Sequence, residues 1–310
     1  MKKTLIFWGE KYLFSPGPFE KSLSFLVLPL SFLYCCIVWV KYILAKPLDL
    51  DIVIVSIGNL IVGGSGKTPL TVSLASRYDN VAIVLRGYGR ESKGLYLVSD
   101  GNKVLCDVKV SGDEAMLYAR LLPTAIIIVA EDRVLGIQKA KEIGAEIVFL
   151  DDAYSKHFIK KLDLLILSQQ DNNFCLPSGP FRERLWKGKE ALCIEENTDF
   201  KRKVSISHKT KKMVLVTAIS KPQRLDPYLE GIIDKVYFPD HYSFSNKELK
   251  DILLCFGADS LLVTHKDAVK MHGFDVPLSF LDLDLEVNER IHESVQEYVK
   301  ISKLDKSVLP

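Results

Sequence analysis

The sequence predicts an α/β protein: a parallel sheet with helices on both faces, a second and smaller α/β domain behind it, and a membrane-associated helix ahead of it. Three observations predict this. Short apolar runs alternate with helix-length stretches between residues 51 and 167, a glycine-rich loop ending in Lys-Thr follows the first run, and residues 22–40 form a 19-residue stretch without a charge.

The uncharged stretch comes first in the chain. "SLSFLVLPLSFLYCCIVWV" is bounded by Lys21 and Lys41 and approaches the ~20 residues of a spanning helix. A secretory signal is disfavoured, because Lys46 and Pro47 stand where small residues precede cleavage. Lys2, Lys3, Lys11 and Lys21 favour a cytoplasmic N-terminus, and an ATP site behind the segment needs the same side. The expectation is a helix broken near Pro29 that dips into the cytoplasmic leaflet, with a single span and a buried core helix as the alternatives.

"GNLIVGGSGKTP", residues 58–69, follows the apolar run "DIVIVSI". A phosphate cradle needs inward-pointing backbone N–H groups at a helix N-terminus, a lysine for the β and γ phosphates, and a hydroxyl for Mg²⁺. Ile61, Val62, Gly63, Gly64, Ser65, Gly66, Lys67 and Thr68 supply that set, although the usual entry glycine is displaced to Gly58. The first sheet is therefore expected to be P-loop NTPase-like, with ATP and Mg²⁺ as its ligands. Such a loop requires an acidic partner at the end of another buried strand, and "AEIVFLDDAY" offers Asp151 and Asp152. Paired carboxylates after a strand also serve as turns or caps.

Further strands are expected in "NVAIVLRG", "TAIIIVAE", "DLLILS", "MVLVTA", "KVYF" and "SLLVTH", and an alternating one in "LDLDLEV". "NKELKDILLCFG" reads as a helix, and the C-terminal helix places Ile291, Val295, Tyr298 and Val299 on one face. The rest of the composition narrows the function. The chain has 310 residues, 48% hydrophobic and 26% charged, an ordinary globular balance. A net charge of +2 argues neither way on nucleic acid, and no nucleic-acid or obligate protein partner is inferred. Six cysteines without C-x-x-C spacing suggest neither a zinc site nor a disulfide framework.

Taken with "RGYGR" (86–90), "GDE" (112–114), "EDR" (131–133), "PSGPFRE" (177–183), "FPDHYSF" (238–244) and "KDAVK" (266–270), the loop resembles that of the tetraacyldisaccharide 4′-kinases of lipid A biosynthesis, displaced glycine included. The resemblance runs from the N-terminal segment to about Lys270. It implies transfer of the ATP γ-phosphate to the 4′-hydroxyl of an acylated glucosamine disaccharide 1-phosphate at the cytoplasmic face of the bacterial inner membrane, with membrane lipids as neighbours. It also implies that Asp113 acts as base with His241 as its dyad partner, that Lys67 is catalytic, and that Glu183 is an acidic site residue. From the residues alone, Asp113 is equally a helix N-cap. Thr68 with Asp151 or Asp152 is expected to hold Mg²⁺, and Arg86, Tyr88 and Arg90 to meet the sugar or its 1-phosphate. The chain departs from the family in Ala115, in "AYSKH" after the aspartates and in "THKD", so no role is carried onto His157 or His265. The competing expectations are a kinase of another lipid or sugar and a membrane-tethered NTPase switch. The organisation expected is a membrane-associated segment 1–48, a P-loop kinase domain 49–194, a linker 195–212 with room for a short strand, and a C-terminal α/β domain 213–310.

Overall fold

A computed structural model describes residues 2–63, 66–219, 222–240 and 242–307. The chain opens with three helices, α1 (Lys2–Phe14), α2 (Pro18–Leu26) and α3 (Leu28–Leu44). Pro18 and Pro29 stand in the first turns of α2 and α3, where a missing N–H costs no helical hydrogen bond. The elements then run β1 (Val53–Asn59), α4 (Lys67–Ala75), β2 (Val81–Leu85), β3 (Tyr96–Asp100), α5 (Val108–Ser111), α6 (Asp113–Leu121), β4 (Ile126–Val129), α7 (Arg133–Glu142), β5 (Ile147–Asp151), β6 (Leu162–Leu167) and β7 (Leu192–Glu195). They continue with β8 (Phe200–Ser207), β9 (Met213–Thr217), β10 (Ile232–Tyr237), α8 (Asn246–Phe256), β11 (Ser260–Thr264), α9 (His265–Ala268), β12 (Leu278–Val287) and α10 (Glu289–Ser307).

The chain divides into two compact units that each recruit several segments. The first comprises residues 1–67, 147–200 and 287–310. Within it the strand order is β5-β1-β6-β7, every neighbouring pair parallel. Strands β1 and β5 are buried along their whole length, which is why their sequences are unbroken apolar runs and do not alternate. Ile291, Val295 and Val299 of α10 are buried as their helical spacing predicts.

The second unit comprises residues 68–146 and 201–286. It holds β3-β4-β2, in which β2 and β4 are parallel and β3 is antiparallel, and a sheet ordered β10-β9-β11-β12-β8. Strands β10, β9, β11 and β12 are parallel to one another in that order. Helix α8 starts at Ser245, whose side chain accepts from the Glu248 amide, and ends at the left-handed Gly257. The polar stretch expected as a linker contains β8, eight residues long. Its exposure alternates, so Val204 and Ile206 turn toward the core while Lys201, Lys203 and Ser205 face solvent.

Helices α2 and α3 bend by 60° at Val27, two residues before Pro29. No single helix among the described residues is long and apolar enough to cross a membrane, whereas this bent pair meets the length and composition criteria together. Their polarity is inverted. Phe32 is 72% exposed and Phe19, Leu26, Leu30, Leu33 and Leu44 are also exposed, while Ser31 is 3% exposed and Ser24 is buried. The serines bind Ser178: the Ser178 amide donates to Ser31 Oγ at 2.8 Å, the Ser178 hydroxyl donates to the Ser24 carbonyl at 2.8 Å, and Ser24 Oγ donates to the Ser178 carbonyl. The helices thus attach to the fold through their polar side and leave an apolar face outward.

Candidate active site

Strand β1 carries the chain to Asn59 and α4 begins at Lys67, so the loop between them opens onto a helix N-terminus. Gly63 and Gly66 have φ of +92° and +84°, conformations that side chains rarely adopt. Gly58 has another reason to be glycine: a Cβ there would meet Tyr154 Cβ at 2.9 Å. Ile61 bridges to Phe181, and the Val62 amide donates to the Pro180 carbonyl at 2.9 Å. Gly64 and Ser65 lie outside the described residues.

At the end of β5 the paired aspartates separate. Asp151 is buried in the strand, whereas Asp152 adopts φ +54° and its side chain is 36% exposed. Arg182 Nη1 donates to Asp152 Oδ2 at 2.8 Å and Nη2 donates to Oδ1, forming a bidentate fork. Arg182 Nη2 also donates to Asn59 Oδ1 at 2.7 Å, and Lys67 Nζ reaches the same oxygen at 3.2 Å and Asp152 Oδ1 at 3.5 Å. Desolvation pushes the Asp152 carboxyl upward, but the Arg182 hydrogen bonds and the Lys67 charge outweigh it and hold the group below the usual carboxylate range.

This cluster forms part of the wall of a cavity of about 630 Å³. Helix α3 supplies an apolar side with Ile37, Val38 and Leu44, and Asp152, Arg182, Glu183 and His157 supply a polar one. Tyr34 of α3 donates to the Arg182 carbonyl at 3.0 Å, and the Arg182 and Glu183 amides both donate to the Leu60 carbonyl. "PSGPFRE" is thereby one device: Ser178 seats the helices and Arg182 faces the aspartate. Sequence motifs alone do not single out Arg182 or Asn59. Each adjoins a motif residue, and the available signal is an arginine four residues past Ser178, since arginine suits planar recognition of phosphate and carboxylate.

The second unit holds the other expected residues. Asp113 is the first residue of α6, the N-cap position being Gly112, whose φ is +81° and which makes no side-chain cap. Met116 and Leu117 of α6 pack with Val269, which places Lys270 Nζ 3.5 Å from Asp113 Oδ2. Lys270 is buried over the Phe244 ring and lies 3.6 Å from Asp267 Oδ1. Asp267 is fully buried and accepts from Thr217 Oγ1, Thr264 Oγ1 and the Ala218 amide. His241 lies outside the described residues.

Arg86 and Tyr88 are exposed on the "RGYGR" loop. Arg90 is committed to the protein: its side chain is 2% exposed, Nη2 donates to Glu131 Oε1 and the Gly94 carbonyl, and Nη1 donates to Ser92 Oγ. A Cβ on Gly112 would meet the Tyr88 carbonyl at 3.1 Å, so the "RGYGR" and "GDE" loops approach closely through glycine. "EDR" is structural throughout, with Asp132 capping α7 and Arg133 buried on the Ala130 carbonyl. Thr68 is the second residue of α4 and partly exposed. No group of three or more His, Cys, Asp or Glu among the described residues forms a metal cluster.

Comparison with known proteins is informative over nearly the whole chain. Residues 23–199 and 192–300 match the family model of LpxK, tetraacyldisaccharide-1-P 4′-kinase. The chain is 45% identical over 314 residues to a tetraacyldisaccharide 4′-kinase of Aliarcobacter butzleri, covering 98% of this chain and 100% of that one. It is 46% identical to the enzyme of that name from Helicobacter acinonychis, covering 94% of each. The fold is similar to the crystal structure of the "apo" form of LpxK from Aquifex aeolicus in complex with ATP, with a TM-score of 0.73 and 25% identity over 89% of this chain and 99% of that one.

Proposed function

Taking as premise that the chain belongs to the tetraacyldisaccharide-1-P 4′-kinase family, we propose that it moves the γ-phosphoryl group of ATP to the 4′-hydroxyl of an acylated glucosamine disaccharide 1-phosphate. The observation that carries this is the Lys67–Asn59–Arg182–Asp152 cluster, which joins a phosphate loop to a cavity walled by α3. Phosphoryl transfer needs alignment and charge neutralisation more than covalent chemistry. Lys67 and Arg182 bring two cations to one place, and incoming phosphates would compete with Asp152 for both. The cradle runs from Gly63 to Thr68, because the Val62 amide is engaged by Pro180 and Ile61 is held by Phe181.

Thr68 and Asp152 suit Mg²⁺, which takes few protein oxygens and keeps several waters; bound there, it neutralises phosphate charge. Asp152 fits better than Asp151, whose side chain stays in the strand interior. Asp113 accepts the proton of the attacking hydroxyl, with His241 as its orienting partner, and Lys270, 3.5 Å from Oδ2, holds that carboxylate in place. Arg86, Tyr88 and Glu183 contact the sugar headgroup, and Arg90 holds the loop that presents the first two. The division 1–48, 49–194, 195–212 and 213–310 is a functional reading in chain order, while the compact units interleave as 1–67, 147–200 and 287–310 against 68–146 and 201–286, and β8 lies within the third segment.

The protein sits on the cytoplasmic face of the inner membrane through α2 and α3. Their inverted polarity supports this, as do six lysines against two glutamates in residues 1–48. Extracting acyl chains into water would cost about 0.8 kcal/mol per CH₂, and an enzyme docked at the surface avoids it. A GTPase-type switch would need an aspartate after a late strand to read the guanine base, and Asp267, the candidate in "LLVTHKD", is fully buried, which speaks against the switch.

One experiment tests the reading. Full-length protein, ATP, Mg²⁺ and the disaccharide 1-phosphate in mixed micelles should yield a product carrying one added phosphate at the 4′-oxygen. ATP hydrolysis of equal rate without the lipid, or phosphate on another hydroxyl, would overturn it.

A further inference from the structure

Helix α1 lies ahead of the residues that the kinase family model matches, and no step above uses it. Its last residue, Phe14, reaches the phosphate loop. A Cβ placed on Gly63 would stand 3.8 Å from Phe14 Cζ, and among the described residues no other group beyond the chain neighbours of Gly63 comes within 4 Å of that point. Gly63 opens the stretch whose amides are left for phosphate, and its φ of +92° is a conformation for glycine. Glycine loses more conformational freedom than any other residue when a loop closes on a ligand. A ring that restricts Gly63 beforehand therefore favours phosphate binding.

The corner between α1 and α2 holds Phe14 in that position. Glu20 stands in the first turn of α2 and is 5% exposed; its carboxylate accepts from Lys11 Nζ of α1 at 2.8 Å and from the Gly17 and Glu20 amides. A Cβ on Gly17 would meet Glu20 Oε2 at 2.7 Å, so glycine there lets the carboxylate turn back over the corner. Further along α2, Ser24 is bonded to Ser178, and the neighbouring Pro180 carbonyl takes the Val62 amide. The contacts close a ring, from the phosphate loop through Pro180 and Ser178 to α2, round the corner to Phe14, and back to Gly63. The outer side of that ring is apolar. Phe19, next to Glu20, is 71% exposed, and Trp8 of α1 and Phe25 of α2 are exposed as well. A bilayer that takes up Phe19 and Phe25 grips the same corner that sets Phe14.

We propose that Phe14 is a positioning residue for the phosphate loop, and that membrane docking of α2 and nucleotide binding favour each other through it. This rests on the phosphate-loop and membrane readings above and adds regulation of the nucleotide site by the lipid surface. Coupling between two sites is reciprocal, so nucleotide raises membrane affinity by the same factor by which the membrane raises nucleotide affinity.

The test measures that factor without turnover. It uses full-length protein, vesicles of phosphatidylethanolamine and phosphatidylglycerol free of substrate, and a non-hydrolysable ATP analogue with Mg²⁺. Sedimentation should show the wild type binding the vesicles roughly fivefold more tightly when the analogue is present, the lower end of ordinary couplings. Phe14→Ala should keep the wild-type vesicle affinity without nucleotide, lose the gain with it, and bind the analogue on vesicles roughly fivefold more weakly. Phe14→Leu keeps an apolar contact and should restore most of both. A wild type whose vesicle affinity is the same with and without the analogue overturns the proposal. So does a Phe14→Ala protein that keeps the gain, and so does one whose vesicle affinity is already low without nucleotide, since Phe14 would then only build the corner. A wild type that shows the coupling yet phosphorylates no disaccharide would remove the kinase reading and leave the coupling standing.

Discussion

Asp152 and Asp113 are both acids at the end of a regular element, and both face cations, yet they differ in what those cations can do. Asp152 is 36% exposed, and its partners Arg182 and Lys67 point at the phosphate loop. Asp113 faces Lys270, whose side chain is 6% exposed and packed over Phe244. Partners that a phosphate can claim leave Asp152 able to change its contacts when nucleotide and metal arrive. A buried lysine packed over an aromatic ring cannot be drawn away in that manner, so Asp113 keeps the same counter-charge beside it when substrates arrive. One residue type thus serves two tasks, decided by whether its counter-charge is exchangeable.

Four measurements break or sharpen that contrast. The largest effect is expected for Lys67→Ala, which should lower kcat by roughly 10³-fold in a folded protein, the scale of losing a group aimed at developing charge. Near-normal turnover would dissolve the phosphate-loop assignment. Asp113→Asn should lower kcat by roughly 10²-fold or more with little change in ATP affinity, as for a lost general base. A changed ATP KM with intact kcat would move Asp113 to the nucleotide side of the comparison.

Thermal melting should then separate the acids in the opposite sense from an exposure-blind view. Asp113→Asn removes a partner of a buried lysine and should cost about 2 kcal/mol, less than a full buried-pair break because Asp267 remains 3.6 Å away. Asp152→Asn leaves partly hydrated cations and should cost at most about 1 kcal/mol. Equal losses would show that counter-charge burial is not the distinguishing feature.

The smallest effect is in pH. The Asp152 carboxyl is held below its ordinary value, so its stabilising contribution is complete above the unfolded value of about 3.9 and disappears as pH falls through the lower folded one. The stability difference between wild type and Asp152→Asn, from denaturant titrations, should be flat at neutral and mildly acidic pH and shrink only below about pH 4. A difference already lost near pH 6 would contradict the Arg182 fork.

Much of the fold was legible in particular residues. "DIVIVSI", "AEIVFLDD" and "SLLVTH" mark β1, β5 and β11 because strands buried on both faces must be apolar throughout. The stretch holding β8 reads as a linker with room for a short strand, because a half-exposed strand rich in lysine and serine has the composition of a linker; its full eight residues are defined only by the sheet. Within the site, Lys67 and Asp152 announced themselves by motif, while Asn59 and Arg182 did not. Their roles depend on a hydrogen bond between them, whose ends lie 123 residues apart in the chain.

By itself the sequence determined the phosphate loop, the acidic end of β5, the uncharged N-terminal stretch and the family to which these belong, because each is local: consecutive residues with a fixed geometric requirement. Only the tertiary structure decided which aspartate leaves the strand, that Gly58 is glycine to admit Tyr154, that Arg90 serves Glu131, and that Ser24 and Ser31 turn inward so that Phe32 and Leu44 turn out. Those outcomes rest on what approaches each residue from distant segments. Burial, counter-charge and hydrogen-bond satisfaction are properties of that approach and are written in no single stretch of the chain.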